Sequence, residues 1–163
     1  MSSSQVREAT PEDSALILHF INGLAVYEKL ADEVETDEAM ITETLFGDNP
    51  KAFCLIGEID NEPVGFAIYF YNYSTWKGKY GIYLEDLFVS PEHRGKGVGK
   101  ALLVHIAGIA VKNNCGRFEW SVLDWNTPSI EFYESLGARA MEGWDIYRVD
   151  GENLKTLANA NAK

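Results

Sequence analysis

Arg94-Gly-Lys-Gly-Val-Gly-Lys100 stands between an apolar run and an amphipathic run, and its reading decides the fold. The run before it, Ile82-Tyr-Leu-Glu-Asp-Leu-Phe-Val89, is rich in β-branched and aromatic residues and reads as a buried strand. After it, Leu102, Leu103, Ile106, Ala107 and Ala110 recur at helical spacing. Gly95, Gly97 and Gly99 therefore fall in a loop that opens a helix. Such a loop lets backbone N–H groups close around an anion, and the helix N-terminus adds partial positive charge. Arg94, Lys96 and Lys100 add full charges, so a pyrophosphate is the natural guest. The chain lacks the P-loop pattern, and Gly95-x-Gly97-x-Gly99 is one residue shorter than the dinucleotide fingerprint.

The 163 residues are enough for one domain with a real core, and we expect a single domain over 1–163. With 46% hydrophobic residues the chain is globular. No apolar run reaches membrane-spanning length and no signal-peptide core opens the sequence, which predicts a soluble cytoplasmic protein without membrane partners. Cys54 and Cys115 lie far apart, and His19, His93 and His105 are scattered; neither a metal site nor a structural disulfide is expected. A net charge of −11 argues against nucleic acid, whose phosphates require a basic face. It suits a cationic substrate drawn in by the field, although solubility alone would account for it equally well.

Along the chain, Val6 to Ala9 reads as a short strand. Thr10 as N-cap, Pro11 and Asp13 open a helix to about Tyr27, and Thr36 caps a second helix ending near Phe46. Strands follow at Ala52–Ile59, Val64–Tyr73 and up to Val89, with a turn at Asp60 to Pro63. Beyond the glycine loop and its helix come a strand over Arg117–Leu123, a helix capped by Thr127 and stopped by Gly137, a final strand over Trp144–Val149 and a last short helix after Asn153. This order predicts an α/β fold with a mixed sheet and helices on its faces.

The loop resembles the pyrophosphate loop of the GNAT N-acetyltransferases, Arg/Gln-x-x-Gly-x-Gly/Ala, which Arg94 to Gly99 fits in full. Asn126-Thr-Pro-Ser-Ile-Glu-Phe-Tyr133, followed by Gly137, resembles the second signature of that family. The resemblance implies the GNAT fold and acetyl-CoA as co-substrate. It implies that backbone groups of Leu87, Phe88 and Val89 bond the cofactor arm and polarise the acetyl carbonyl. Arg94, Gly95, Lys96, Gly97, Val98, Gly99 and Lys100 would hold the diphosphate. Asn126, Thr127, Pro128 and Ser129 would meet the pantetheine, and Tyr133 would protonate the departing sulfur. Asn126 and Tyr133 are seven residues apart, about two helical turns, so one helix face can present both. A plain packing role for Tyr133 is the competing reading.

Acetyl transfer to an amine needs a neutral nucleophile, and an alkylamine has a pKa of about 10.4. Glu85 and Asp86 stand mid-strand among apolar neighbours, where carboxylates are costly unless paired or functional. Strand alternation sends them to opposite faces. Glu85 is the candidate general base, acting through a water, with a structural ion pair as its alternative; Asp86 is a substrate-side carboxylate.

Leu24-Ala-Val-Tyr-Glu-Lys-Leu30, Tyr73-Ser-Thr-Trp-Lys-Gly78, Val122-Leu-Asp-Trp-Asn126 and Glu142-Gly-Trp144 are similar to the diamine (spermidine/spermine) acetyltransferases, nearest the thialysine branch. That likeness implies substrate-side roles for Tyr27, Glu28, Trp76, Glu85, Glu119 and Glu142, a small cationic amine as substrate, and a homodimer. In the polyamine branch an acidic residue precedes the loop Trp by two; here Ser74 stands there, which favours a short diamine or lysine-like amine over a long polycation. For Glu28 and Glu142 the bland alternative is a solvated face, and for Trp76 and Trp144 it is packing. Two other functions are weighed: acetylation of a protein lysine or N-terminus, and a coenzyme A-binding sensor without turnover.

Overall fold

A two-residue turn organises the sheet. Asp60 and Asn61 both take positive φ (51° and 67°), the conformation that lets a tight hairpin follow strand twist. They join β2 (Phe53–Ile59) to β3 (Glu62–Ser74), with Ile59 opposite Glu62. In the computed structural model, which describes residues 3–161, these strands are the middle of a five-stranded sheet. Its order follows the sequence: β1 (Ser4–Glu8), β2, β3, β4 (Lys79–Val89), β5 (Phe118–Trp120). All pairs are antiparallel except β4 with β5, so the sheet is mixed as expected.

Alternation along β2 explains why both faces are covered. Cys54 and Ile56 pack with Phe66 and Phe88 against Ile17 and Phe20 of α1 (Ser14–Tyr27) and Ile41 of α2 (Glu38–Phe46). Gly57 faces the other way, onto α3 (Val98–Lys112), where a Cβ would lie 2.6 Å from Val98 Cγ1. Val98, Leu102 and Ile106 of α3 are fully buried. On the opposite face Gly23 gives Phe88 the same kind of room: a Cβ there would sit 2.7 Å from the ring tip.

The helix starts differ in detail from the expectation. Pro11–Asp13 forms a 3-10 turn before α1, closed by Thr10 N–H donating to Asp13 Oδ2 at 2.8 Å. Asp37, not Thr36, caps α2, accepting from the Met40 N–H at 2.8 Å. Thr36 instead turns its hydroxyl to the Asp37 carbonyl. Asn126 occupies the N-cap position of α4 (Thr127–Ser135), so Thr127 is the first helical residue.

The chain divides into two compact units, one up to Leu123 and one from Asp124 onward. The second contains α4 and α5 (Gly151–Ala158). Gly137 ends α4 as expected: at φ 89° it donates to the Glu134 carbonyl at 2.9 Å, and Ala138 N–H reaches back to the Tyr133 carbonyl at 3.1 Å. The expected strand over Trp144–Val149 does not form. Its residues favour extended backbone, but a strand also needs a neighbour for its N–H and C=O groups, and no ladder reaches this segment among the described residues. Trp144 is 74% and Tyr147 93% exposed. Likewise β5 keeps only the three residues that pair with β4.

Candidate functional site

Ile68 faces Asp86 across the β3–β4 ladder, and Tyr69 faces Leu84. Glu85 is therefore an extra residue in β4, a bulge without an opposite partner. That corrects the expectation of a regular, buried strand through Glu85 and Asp86. Glu85 is exposed, whereas Asp86 is largely withdrawn from solvent opposite Ile68. Burial pushes the Asp86 carboxyl up to about 6, and the charges of Glu85 and Glu28 push it the same way. Glu28, the C-cap of α1, is also raised by burial. Three of the expected substrate-side residues, Glu28, Glu85 and Asp86, are thus close enough to feel one another.

Past the bulge β4 leaves its parallel neighbour. β5 pairs only with Ile82, Tyr83 and Leu84, so among the described residues of the first unit Leu87, Phe88 and Val89 have no strand partner on that side. Ser90 N–H donates to the Val64 carbonyl at 2.8 Å and a 3-10 turn over Pro91–His93 redirects the chain. Gly95 and Gly97 then take φ of 75° and 86°. A Cβ at either would meet nothing within 4 Å, so glycine serves the backbone conformation and leaves the loop open to a guest. The first intrahelical bond of α3 is Ala101 N–H to the Gly97 carbonyl at 2.9 Å. The N–H groups of Val98, Gly99 and Lys100 precede it and point out of the helix end. Gly99 is within the helix at ordinary φ, and buried Val98 pins the turn to the sheet. Lys96 and Lys100 are exposed beside these amides. An open nest of N–H groups flanked by cations fits a diphosphate, and the unpaired edge of β4 fits an amide-bearing arm.

Arg94 does more than supply charge. Its Nε donates to the Val89 carbonyl at 3.0 Å, and its guanidinium lies 4.7 Å from the Tyr27 ring centroid and 5.6 Å from that of Phe88. The end of α1 is thereby tied to the loop, a contact that no motif signals.

Other expected residues fall elsewhere. Glu119 is ion-paired with Arg117 at 2.8 Å and accepts from Asn72 Nδ2 at 3.3 Å, so its charge is already matched. Trp76, on the turn between β3 and β4, is 93% exposed and packs into no core. Ser74 is buried, and its Oγ accepts the Lys77 N–H at 3.2 Å; at this position the turn, not an amine, takes the side-chain oxygen. In the second unit Asn126 is buried and its carbonyl accepts the Ile130 N–H at 3.1 Å. Thr127, Pro128 and Ser129 form the first turn of α4, and Tyr133 lies near its end beside Phe132. Glu142 is exposed. No group of three or more His, Cys, Asp or Glu side chains that could hold a metal occurs among the described residues. No helix among them is long and apolar enough to cross a membrane.

The model of the acetyltransferase (GNAT) family matches residues 21–138. The thialysine N-epsilon-acetyltransferase of Sus scrofa is 41% identical over 97% of this chain and 99% of that protein. An L-ornithine N5-acetyltransferase of Arabidopsis thaliana is 30% identical over 97% of this chain and 89% of its own length. Among solved structures, an integron cassette protein from the mobile metagenome of V. cholerae superposes with a TM-score of 0.80 at 28% identity, covering 97% of this chain and 99% of that one.

Proposed function

The chain belongs to the acetyltransferase (GNAT) family, and on that footing we propose that this acetyl-CoA-dependent N-acetyltransferase acts on a primary amine of a small cationic substrate. The class comprises short diamines, polyamines and lysine-like amino acids such as thialysine. The relatives named for thialysine and for L-ornithine support the amino-acid end of it, since both compounds carry an amine at the end of a short chain. One observation carries the reading: the strand that bears Glu85 and Asp86 runs directly into the open amide nest at Gly95–Lys100, so acceptor-side carboxylates and an anion cradle share one continuous element. We take residues 1–163 to act as a single domain in the cytoplasm, and as a homodimer.

Acetyl-CoA supplies a thioester whose acyl carbon is open to an amine. The Val98–Lys100 amides, with Arg94, Lys96 and Lys100, hold the diphosphate. The edge of β4 at Leu87–Val89 bonds the arm and steadies the carbonyl oxygen as charge gathers on it. Asn126, with Thr127, Pro128 and Ser129, flanks the pantetheine. Tyr27, Glu28, Trp76, Asp86, Glu119 and Glu142 form the acceptor-side set; Glu119 would have to exchange its bond to Arg117 to take part. Glu85 accepts one ammonium proton through a water, which frees the nitrogen lone pair. As the new C–N bond forms and the C–S bond breaks, the Tyr133 hydroxyl gives its proton to sulfur. The second amine proton leaves by the carboxylate side, and tyrosinate recovers a proton from solvent.

The test is acetyl-CoA consumption over thialysine, ornithine, lysine, putrescine, spermidine, spermine and a histone peptide, with products located by mass. Terminal-amine acetylation of a short substrate is expected. Coenzyme A binding without turnover on any amine would overturn the reading in favour of a sensor, and turnover on the peptide alone would overturn the substrate class.

A further inference from the structure

Arg94 faces two ways. Its guanidinium carbon lies over the Tyr27 ring, 4.7 Å from the centroid, while its Nε donates to the carbonyl of Val89, the last residue of β4. A guanidinium has a flat face for rings and five N–H donors around its edge, so one group can stack and bind an anion together. Tyr27 is the last residue of α1, and the next residue is Glu28. Phe88, the second ring under Arg94, is seated against α1 at Gly23, so the stack rests on a rigid base.

We propose that the Arg94–Tyr27 stack couples the two binding sites: diphosphate held at the loop fixes Arg94, which fixes Tyr27 and with it the acceptor wall at Glu28. Tyr27 is then a positioning residue that acts through its ring face, and Arg94 has a role beyond its charge. This inference rests on the amine acetyltransferase reading above. Coupling by ordering is reciprocal: whatever factor the cofactor adds to amine affinity, the amine adds to cofactor affinity. Couplings of this kind are on the order of 5–150-fold.

Calorimetry with free coenzyme A, which cannot transfer acetyl, isolates binding from turnover. Thialysine is titrated into the full chain with and without saturating coenzyme A, and coenzyme A with and without thialysine. In the wild type each ligand should tighten the other by the same factor, at the lower end of that range. Tyr27→Phe keeps the ring and should keep the coupling. Tyr27→Leu removes the ring and should bring the factor to about one; amine affinity without coenzyme A falls as well, because Tyr27 belongs to the acceptor-side set, so the ratio of the two amine affinities is the readout. Arg94→Lys keeps a cation and loses the plane; it should weaken coenzyme A and also abolish coupling. Circular dichroism melts of each variant confirm the fold before titration. Equal coupling in wild type and Tyr27→Leu overturns the inference, as does loss of coupling in Tyr27→Phe or binding of both ligands to the wild type without mutual effect. If coenzyme A does not bind the wild type at all, the assignment of the loop falls and the inference falls with it. If coenzyme A binds and thialysine does not, the lysine-like amine class fails and the inference is overturned for that acceptor.

Discussion

At neutral pH the Asp86 carboxyl is ionised in a place where burial opposes the charge. The sign of the resulting linkage is definite. An unfolded aspartate titrates near 3.8 and the folded group at about 6, so the native state holds the proton more tightly between those values. Stability from this group therefore falls as pH rises from about 4 through about 6 and is fully lost above it. Asp86→Asn should raise stability at pH 8 by roughly 1–3 kcal/mol, with the gain fading towards pH 4. The same change should lower kcat/KM and erase an acidic limb near pH 6, because the ammonium loses a countercharge. Thermal melts and pH–rate profiles of the two proteins check both halves. Glu85→Gln should slow turnover mainly at neutral pH and recover partly at high pH, where free amine is populated; an unaltered profile would remove the base. Tyr133→Phe should cost about 10²–10⁴ in kcat at nearly constant coenzyme A affinity, measured by steady-state kinetics beside calorimetry.

Elements matter here through how closely they approach. Gly97 needs no space but does need φ of 86°, so Gly97→Ala should cost about 1–2 kcal/mol and loosen coenzyme A binding, as read by denaturant melts and calorimetry. Gly57 is the opposite case: ordinary φ, no room. Gly57→Ala should push α3 off the sheet at Val98, destabilise by roughly 1–3 kcal/mol and misplace the amides of the loop. Most of this layout was legible in the chain. The glycine loop, the helix after it, a turn beginning at Asp60 and the stop at Gly137 all follow from local chemistry, although the turn is shorter than expected because Glu62 and Pro63 already pair with β2. The bulge at Glu85 was not, because it depends on which residues of β3 lie opposite, and strand pairing is a non-local property. The Arg94–Tyr27 contact was hidden for the same reason: its partners lie 67 positions apart in the chain. Trp144–Val149 misled because β-branched and aromatic residues report a preference for extended backbone and not the presence of a neighbour.

Over the whole molecule, the charge of −11 is spread on a chain whose few loop cations gather at one helix end. A net negative charge favours the approach of cationic acceptors to the carboxylates of β4 and α1 over that of anions. Amine kcat/KM should fall several-fold between low and high salt as the Debye length shrinks below about 10 Å, with kcat little changed. A salt-independent value would mean that the charge serves solubility alone.

The single unpaired residue of β4 also governs how the gene can vary at this point. The inserted residue lets Leu84 and Asp86, two positions apart, lie opposite the adjacent residues Tyr69 and Ile68. Exchanging Glu85 for another residue leaves that bulge intact. Losing its codon would make Leu84 and Asp86 direct neighbours in a regular ladder, with Phe88 still opposite Phe66. The sheet can therefore spare this position; what would vanish with it is the acid and the local bend that presents it.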